Sequence, residues 1–402
     1  MGTLALTAVI VMVFASGAPS VTYNSASGRA SIQSPGNIIC APGINCPTTE
    51  LTIPETLELT SLTTNTLCAG ICLPTPTSTS LEAAGIAYDS GMKETYTAVN
   101  WVTAKGVASS AVIVRLESSG AIVASVTVGK GNLQSVVYDS GMGYIFVATG
   151  TGNSVAVICD SATSCDTSVS GIAANSVMKT FTGLSNPKFM AYDTGKNQVV
   201  VTNSGGKTVT FLCDGHGGSA VPPNTVTSCT TITLAAGDEP MGVAYDTSNG
   251  RIWVGNDGPQ TITVYQNSAT SNTPTLAQTI TTTLFKPFAI VFDSGVNEMF
   301  VSNADTGMNV YSATSYALLA EPSVNGATYM SFFAGTHFVF ISQSEGSSGC
   351  VSLINDQSFT VSSSASIGAG SSFETYDPAT NYVYVSNSAQ GTVSWVQWVT
   401  PD

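Results

Sequence analysis

Met190-Ala191-Tyr192-Asp193-Thr194-Gly195-Lys196-Asn197, running on into Gln198-Val199-Val200-Val201-Thr202-Asn203, is the stretch that decides the fold. An apolar residue, a spacer, an aromatic, Asp and Ser or Thr are followed ten residues after the Asp by Asn. The same phrase stands at Ile86–Ser90, Val136–Ser140, Val243–Thr247, Ile290–Ser294 and, ending in Pro, Glu374–Pro378. A degenerate copy, Met330-Ser331-Phe332-Phe333-Ala334, has Phe at the Asp position. The anchors are 50, 54, 53, 47, 40 and 44 residues apart. A period of roughly 40–55 residues with several short strands in each is the signature of a β-propeller. Seven copies predict an all-β chain with seven four-stranded antiparallel blades.

One period shows why. Phe189–Tyr192 is a short apolar strand. Asp193–Asn197 is turn chemistry, in which Asp accepts backbone N–H groups two residues on, while Gly and Asn tolerate positive φ. Gln198–Thr202 is a β-branched strand, Asn203–Lys207 a second turn, and Thr208–Leu212 a third strand. Thr230–Leu234 completes a four-stranded meander. No run at helical spacing is long enough to predict a helix after the N-terminus.

The second strands exit as Val201-Thr202-Asn203, Val254-Gly255-Asn256, Val301-Ser302-Asn303 and Val385-Ser386-Asn387. These resemble the YVTN-type seven-bladed propeller repeats of archaeal and bacterial surface proteins, over roughly Leu81 to the C-terminus. Val99, Thr149 and Gln343 take the Asn place in the remaining copies. The resemblance implies an extracellular, non-catalytic surface protein, with lactonase-like and periplasmic propellers among its relatives.

Three regions are expected: an apolar segment or secretory signal over 1–18, a Cys/Pro/Thr-rich segment over 19–80, and the propeller over 81–402. The apolar run Leu4–Ala15 is too short for a comfortable membrane span and ends near small residues, as a signal peptide does. The seventh copy stops after its third strand, Thr392–Trp398, which leaves an edge to cover. Thr56–Leu62 alternates and is the expected closing strand; Thr75–Leu81, beside Pro74 and Pro76, is its competitor.

Only 9% of the 402 residues are charged and the net charge is −14, which disfavours nucleic acid and anionic lipid as partners. A polar, weakly charged surface would also keep its hydration in acid. Nine cysteines point to an oxidising compartment. Cys159 and Cys213 stand at one repeat position and are expected to pair with Cys165 and Cys229 across the following loops. Cys40, Cys46, Cys68, Cys72 and Cys350 are left unassigned. No Asn-x-Ser/Thr sequon occurs.

The repeated Asp and Asn read as turn formers rather than ligands. His216 and His337 map to the face of the first-to-second-strand turns, away from the usual pocket mouth, so no acid–base pair is expected there. The opposite face should carry Lys130, Asn132, Asn186, Lys188, Asp238, Glu239, Asp257, Lys286, Asp305 and Asn325 as the candidate binding surface. Asp238, Glu239, Asp257 and Asp305 are the hard oxygen donors that would hold Ca²⁺, against the simpler reading of solvated loop charges. No Gly-rich phosphate cradle, Gly-x-Ser-x-Gly elbow or Cys–His pair is present. The expected function is a non-enzymatic extracellular or cell-surface propeller binding a protein or glycan. The alternatives are a lactonase- or lyase-like enzyme using Asp238 or Glu239, and a self-assembling subunit of a surface layer or filament.

Overall fold

The computed structural model describes residues 20–24, 29–33, 81–102, 107–161, 173–215, 226–267, 273–283, 286–303, 307–324, 326–333, 336–345 and 348–397. It is a seven-bladed β-propeller. Six blades are four-stranded antiparallel meanders and the seventh has three strands among the described residues. The first strands, each carrying the repeated phrase, are Leu81–Asp89, Leu133–Asp139, Pro187–Asp193, Pro240–Asp246, Pro287–Asp293, Ala327–Phe333 and Ser371–Asp377. Each packs against the first strand of the next blade, and the last returns to the first, so these strands line the axis. No helix occurs among the described residues. The expected closing strand Thr56–Leu62 lies outside them, as does its competitor up to Ser80; Leu81 itself opens the first strand of blade 1.

Burial grades outward through each blade, and the sequence follows it. Second strands are sandwiched between two neighbouring blades and therefore read as continuous apolar runs rather than alternating ones. Val199, Val200 and Val201 are all fully buried, as are Ile145, Phe146 and Val147. Outer strands face water on one side and are Thr-rich; Thr275–Thr281 is exposed almost throughout. The ring is sealed between blades 7 and 1 by a cluster of Ile86, Tyr88, Val99, Ile113, Tyr384 and Val393, with Tyr88 stacked 6.2 Å from Tyr384. The amide of Tyr88 donates to Thr375 Oγ1 across the same seam at 3.2 Å.

The turn Asp does what its residue type requires. Asp193 Oδ1 accepts from the amides of Gly195 and Lys196 at 2.9 and 3.1 Å, and Asp89, Asp139, Asp246 and Asp293 repeat the arrangement. The aromatic before it has a second task that the repeat alone does not reveal. The hydroxyls of Tyr138, Tyr192 and Tyr245 hydrogen-bond Asp89, Asp139 and Asp193 of the preceding blade, and Tyr88 reaches Asp377 across the seam between blades 1 and 7. The phrase is thus an inter-blade joint.

Glycine two residues after the Asp makes room for that joint. A Cβ on Gly195 would stand 2.1 Å from Tyr245 Oη, and one on Gly141 2.8 Å from Tyr192 Oη. Where the next blade offers Phe332 instead of Tyr, a Cβ on Gly295 would stand 3.5 Å from its Cζ, an ordinary contact, and the turn Asp lies about as near as it does at the other two glycines. Gly195→Ala is therefore expected to cost about 1–3 kcal/mol by overpacking. Gly295→Ala should stay within about 1 kcal/mol of the parent. Denaturant titration of both variants, and of Gly195→Ala in a Tyr245→Phe background, checks this. Equal costs for the two glycines, or no recovery with Phe, would show that the joint does not set the requirement.

Candidate functional site

Each first strand carries a register shift against the second strand just ahead of its phrase, for example between Pro187 and Met190 and between Ser371 and Glu374. Such bulges re-aim side chains, often beside functional sites. They also leave backbone groups unpaired by the ladder, and the residue before the repeated Asn satisfies them. Thr202 Oγ1 accepts from the Phe189 amide and donates to its carbonyl, both at 3.2 Å. Ser386 Oγ does the same for Phe373, and Ser302 Oγ accepts from the Ala289 amide at 3.1 Å. In blade 4 that place is Gly255, where a Cβ would lie 2.7 Å from the Pro287 carbonyl oxygen. The Asn itself clamps the following turn. Nδ2 of Asn203 donates to Thr208 and Thr210, and Nδ2 of Asn387 to Thr392 and Ser394, at 2.8–3.1 Å. The exits that read as turn formers are therefore cross-strand clamps that also brace the bulge. Thr149 serves the same end in blade 2 by donating to the Ser154 carbonyl.

The bulges aim four aromatics at one another across the axis. Phe189 meets Phe288 edge-on at 5.1 Å and stacks on Tyr329 at 5.4 Å, and Phe373 stands 6.0 Å from Phe189. Small residues oppose them: Gly85, Ser135, Gly242 and Ala289 take the corresponding places in other blades. The Gly242 position is so close to blade 5 that a Cβ would lie 2.4 Å from the Phe288 carbonyl oxygen. The result is an aromatic plug. It borders a cavity of about 360 Å³, walled further by Ile86, Val136, Met190, Val243 and Ile290. One carboxyl, Glu374, faces this space, because blade 7 carries Glu where the other phrases carry an apolar residue. Ser342 Oγ and Ser331 Oγ donate to it at 2.6 and 3.0 Å. Burial pushes the Glu374 carboxyl up to about 7 despite those donors. Tyr329 is likewise raised well above its ordinary value by burial.

On the face of the inter-blade loops, Lys188 sits beside the plug. It lies in the bulge next to Phe189, with Nζ 5.6 Å from the Phe288 ring centre and 3.7 Å from Met241 Sδ. Burial draws its ammonium below the ordinary lysine value, while Asp257 and Glu239 act the other way. Three residues expected on this face are thus brought together: Lys188, Glu239 and Asp257. Asp238 is separate, buried, and holds the Ala235 amide at 3.0 Å. Asn132 and Asn186 bind neighbouring loops: the Asn132 amide donates to Thr151 Oγ1, and Asn186 Nδ2 to Ser204 Oγ. Lys130 is exposed beside Asn132, and Lys286 is half-buried at the entry to blade 5. Asp305 and Asn325 lie outside the described residues. Neither Asp238 nor Glu239 borders the cavity. Among the described residues no three acidic, His or Cys side chains converge as a metal site, and Lys188 already offers Glu239 and Asp257 a positive charge.

His337 stands in the turn one residue ahead of the second strand of blade 6, Phe338–Glu345, with φ +58°. Its Nδ1 is 3.1 Å from Asp356 Oδ2. His216 lies outside the described residues. Cys213 and Cys229 form the expected disulfide across the ends of the third and fourth strands of blade 3, with Cα atoms 5.8 Å apart. Cys159 is also disulfide-bonded; the expected partner, Cys165, lies outside the described residues. Cys350 is a thiol, 3.4 Å from Gln343 Oε1.

The plug is the feature that sequence reading missed. Its signal was present, since Phe189, Phe373 and Tyr329 directly precede the phrase and Phe288 stands two residues before it. Nothing in the spacing, however, says that a bulge turns these side chains inward. No helix among the described residues is long and apolar enough to cross a membrane. The chain matches no model of a known protein family, and no curated protein matches it.

Proposed function

We propose that this chain is a non-catalytic extracellular propeller of the YVTN type. It presents the inter-blade-loop face to a protein or glycan partner on a cell envelope, an appendage or a virion. The observation that carries this reading is the aromatic plug. A propeller that turns over a small molecule needs converging acid and base groups in an open mouth. Here Phe189, Phe288, Tyr329 and Phe373 close the axis, and the neighbouring polar groups, Lys188, Glu239 and Asp257, lie outside the cavity. A closed mouth leaves a surface: an aromatic rim with a cation and two acids is chemistry that proteins and sugars both use. The Val-Ser/Thr-Asn exits support the family reading, and the Cys213–Cys229 bridge supports an oxidising exterior.

The test pairs the native chain with a Glu239→Lys/Asp257→Lys variant of unchanged fold. Both are screened on a glycan array and against proteins extracted from the source envelope. A ligand held by the native chain and lost from the variant is expected. A ligand held equally by both would move the interface elsewhere.

One observation favours a lactonase- or lyase-like enzyme instead, which is the carboxyl of Glu374 beside the cavity, raised to about 7. It has neither a second acid nor a histidine among the residues bordering that space. Turnover of lactones or acidic polysaccharides that disappears in Glu374→Gln would establish the enzymatic reading.

A further inference from the structure

The joints between blades are built from three repeat positions on the face opposite the plug. They are the turn Asp, the first residue of the second strand, and the residue after the third strand of the next blade. Between blades 3 and 4 these are Asp193, Gln198 and Asn267. Both amides donate to one carboxylate oxygen: Gln198 Nε2 reaches Asp193 Oδ2 at 2.8 Å, and Asn267 Nδ2 bonds the same atom. The turn amides fill Oδ1, so both oxygens of Asp193 have donors in this joint.

Between blades 5 and 6 the same places hold Asp293, Glu298 and Asp356, and between blades 1 and 2 Asp89, Glu94 and Asp160. Each amide of the third joint is replaced by its acid. The acceptors remain and the two amide donors to the turn Asp are gone. Asp293 Oδ2, Glu298 Oε2, Asp356 Oδ1 and Asp89 Oδ2 are all buried with no donor. Yet Asp293 and Asp356 approach within hydrogen-bonding reach of each other. Two carboxylate oxygens can make that contact only with a proton between them. Between blades 2 and 3, Asp139 and Asp214 repeat the pairing, with Asp139 Oδ2 lacking a donor and Tyr192 alongside.

We infer that the joints between blades 1 and 2 and between blades 5 and 6 are held by protons: they are fully bonded only when their carboxyl groups are protonated, so the ring is tightest in acid and loosens toward neutral pH.

The surroundings agree. The first triad is faced by Tyr96, whose hydroxyl donates to Glu94 at 3.1 Å, by Tyr138 from the next blade and by Asn175. The second is faced by Phe332 from the next blade and by His337, which stands 3.1 Å from Asp356 Oδ2. Burial, reinforced by the neighbouring acids, pushes Asp293 up to about 6 and Glu298 up to about 7. It raises Asp89 and Glu94 as well. The sign follows from linkage. The folded chain binds these protons more tightly than the unfolded chain, whose carboxyls titrate near 4. The stabilisation is therefore complete below about pH 4 and is lost as pH rises through 6 and 7.

The test is scanning calorimetry of the full chain between pH 4 and pH 8. The midpoint is expected to fall by ~5 °C or more across that range. Glu298→Gln/Asp356→Asn converts the fifth joint to the chemistry of the third. It should leave the midpoint at pH 4 unchanged, raise it at neutral pH and flatten the profile. Should that variant fail to fold, the reverse exchange, Gln198→Glu/Asn267→Asp, is expected to steepen the profile instead. A parent profile that does not fall, or variants whose slope matches the parent, would overturn the inference. So would a neutral-pH midpoint restored by added Ca²⁺ and lowered again by chelation, because the joint would then be held by a cation.

Discussion

Removal of residues 1–80 should leave a chain that aggregates or melts well below the parent, whereas removal of residues 1–35 should leave the thermal midpoint and the monomer intact. The reason lies at the outer side of blade 7. Six blades end in a fourth strand, and blade 7 ends at Thr392–Gln397 among the described residues. The third strand of a blade elsewhere hydrogen-bonds on both sides, as Thr208–Cys213 does with Gln198–Asn203 and Thr227–Thr233. Leaving Thr392–Gln397 paired only with Tyr382–Asn387 opens a row of donors and acceptors, which is a template for association. It also uncovers Trp395 and Tyr382, which pack against the cluster sealing blades 7 and 1. Of the sequence ahead of the propeller, Thr56–Leu62 has the alternation that such a strand needs, and it survives the shorter truncation. Size-exclusion chromatography with light scattering, together with thermal melts of the two truncations, gives the answer. Equal midpoints with the longer truncation still monomeric would mean that the ring closes without this segment. An assembly that forms only in the full chain would point to a strand supplied by a neighbouring copy, and so to the filament or surface-layer reading.

The blades were legible because their periodicity is chemical. Each Asp must cap a turn, each β-branched run must pack between two neighbours, and each Asn must clamp its partner strand, so the residue types recur in phase. Which residues would meet across blades was less legible. The Tyr-Asp pair reads as a strand end and a turn, and only the ring geometry shows that the Tyr serves the preceding blade. The same holds for Lys188, Glu239 and Asp257. They were placed on one face by strand order, but the reach of Lys188 over Phe288, within the field of the two acids, depends on the bulge at Pro187–Met190. The acid-for-amide exchange at the joints needs the register of two blades at once. Glu298 and Asp356 lie far apart in the chain and share no motif.

Phe189→Ala should be the most costly single substitution near the axis, at about 3–5 kcal/mol. Phe189 is buried and touches three other aromatics, so truncation removes both its burial and its ring contacts, each worth about 0.5–1.5 kcal/mol beyond area. The surroundings cannot collapse to compensate, because the bulge backbone on either side is fixed by Thr202 and Ser386. Leu276→Ala, on an outer strand and 58% exposed, is the control and should change stability by no more than about 0.5 kcal/mol. The loss at Phe189 joins new space to the existing cavity, and an apolar void of that kind takes up benzene-sized probes. Saturating benzene should therefore raise the midpoint of Phe189→Ala by more than that of the parent. A variant as stable as the parent would mean that the aromatics are loosely held and can open. A gate at the mouth would favour chemistry at Glu374 over a closed surface. A large loss with benzene rescue would mean that the axis is packed core, and that whatever this propeller recognises is met on its surface.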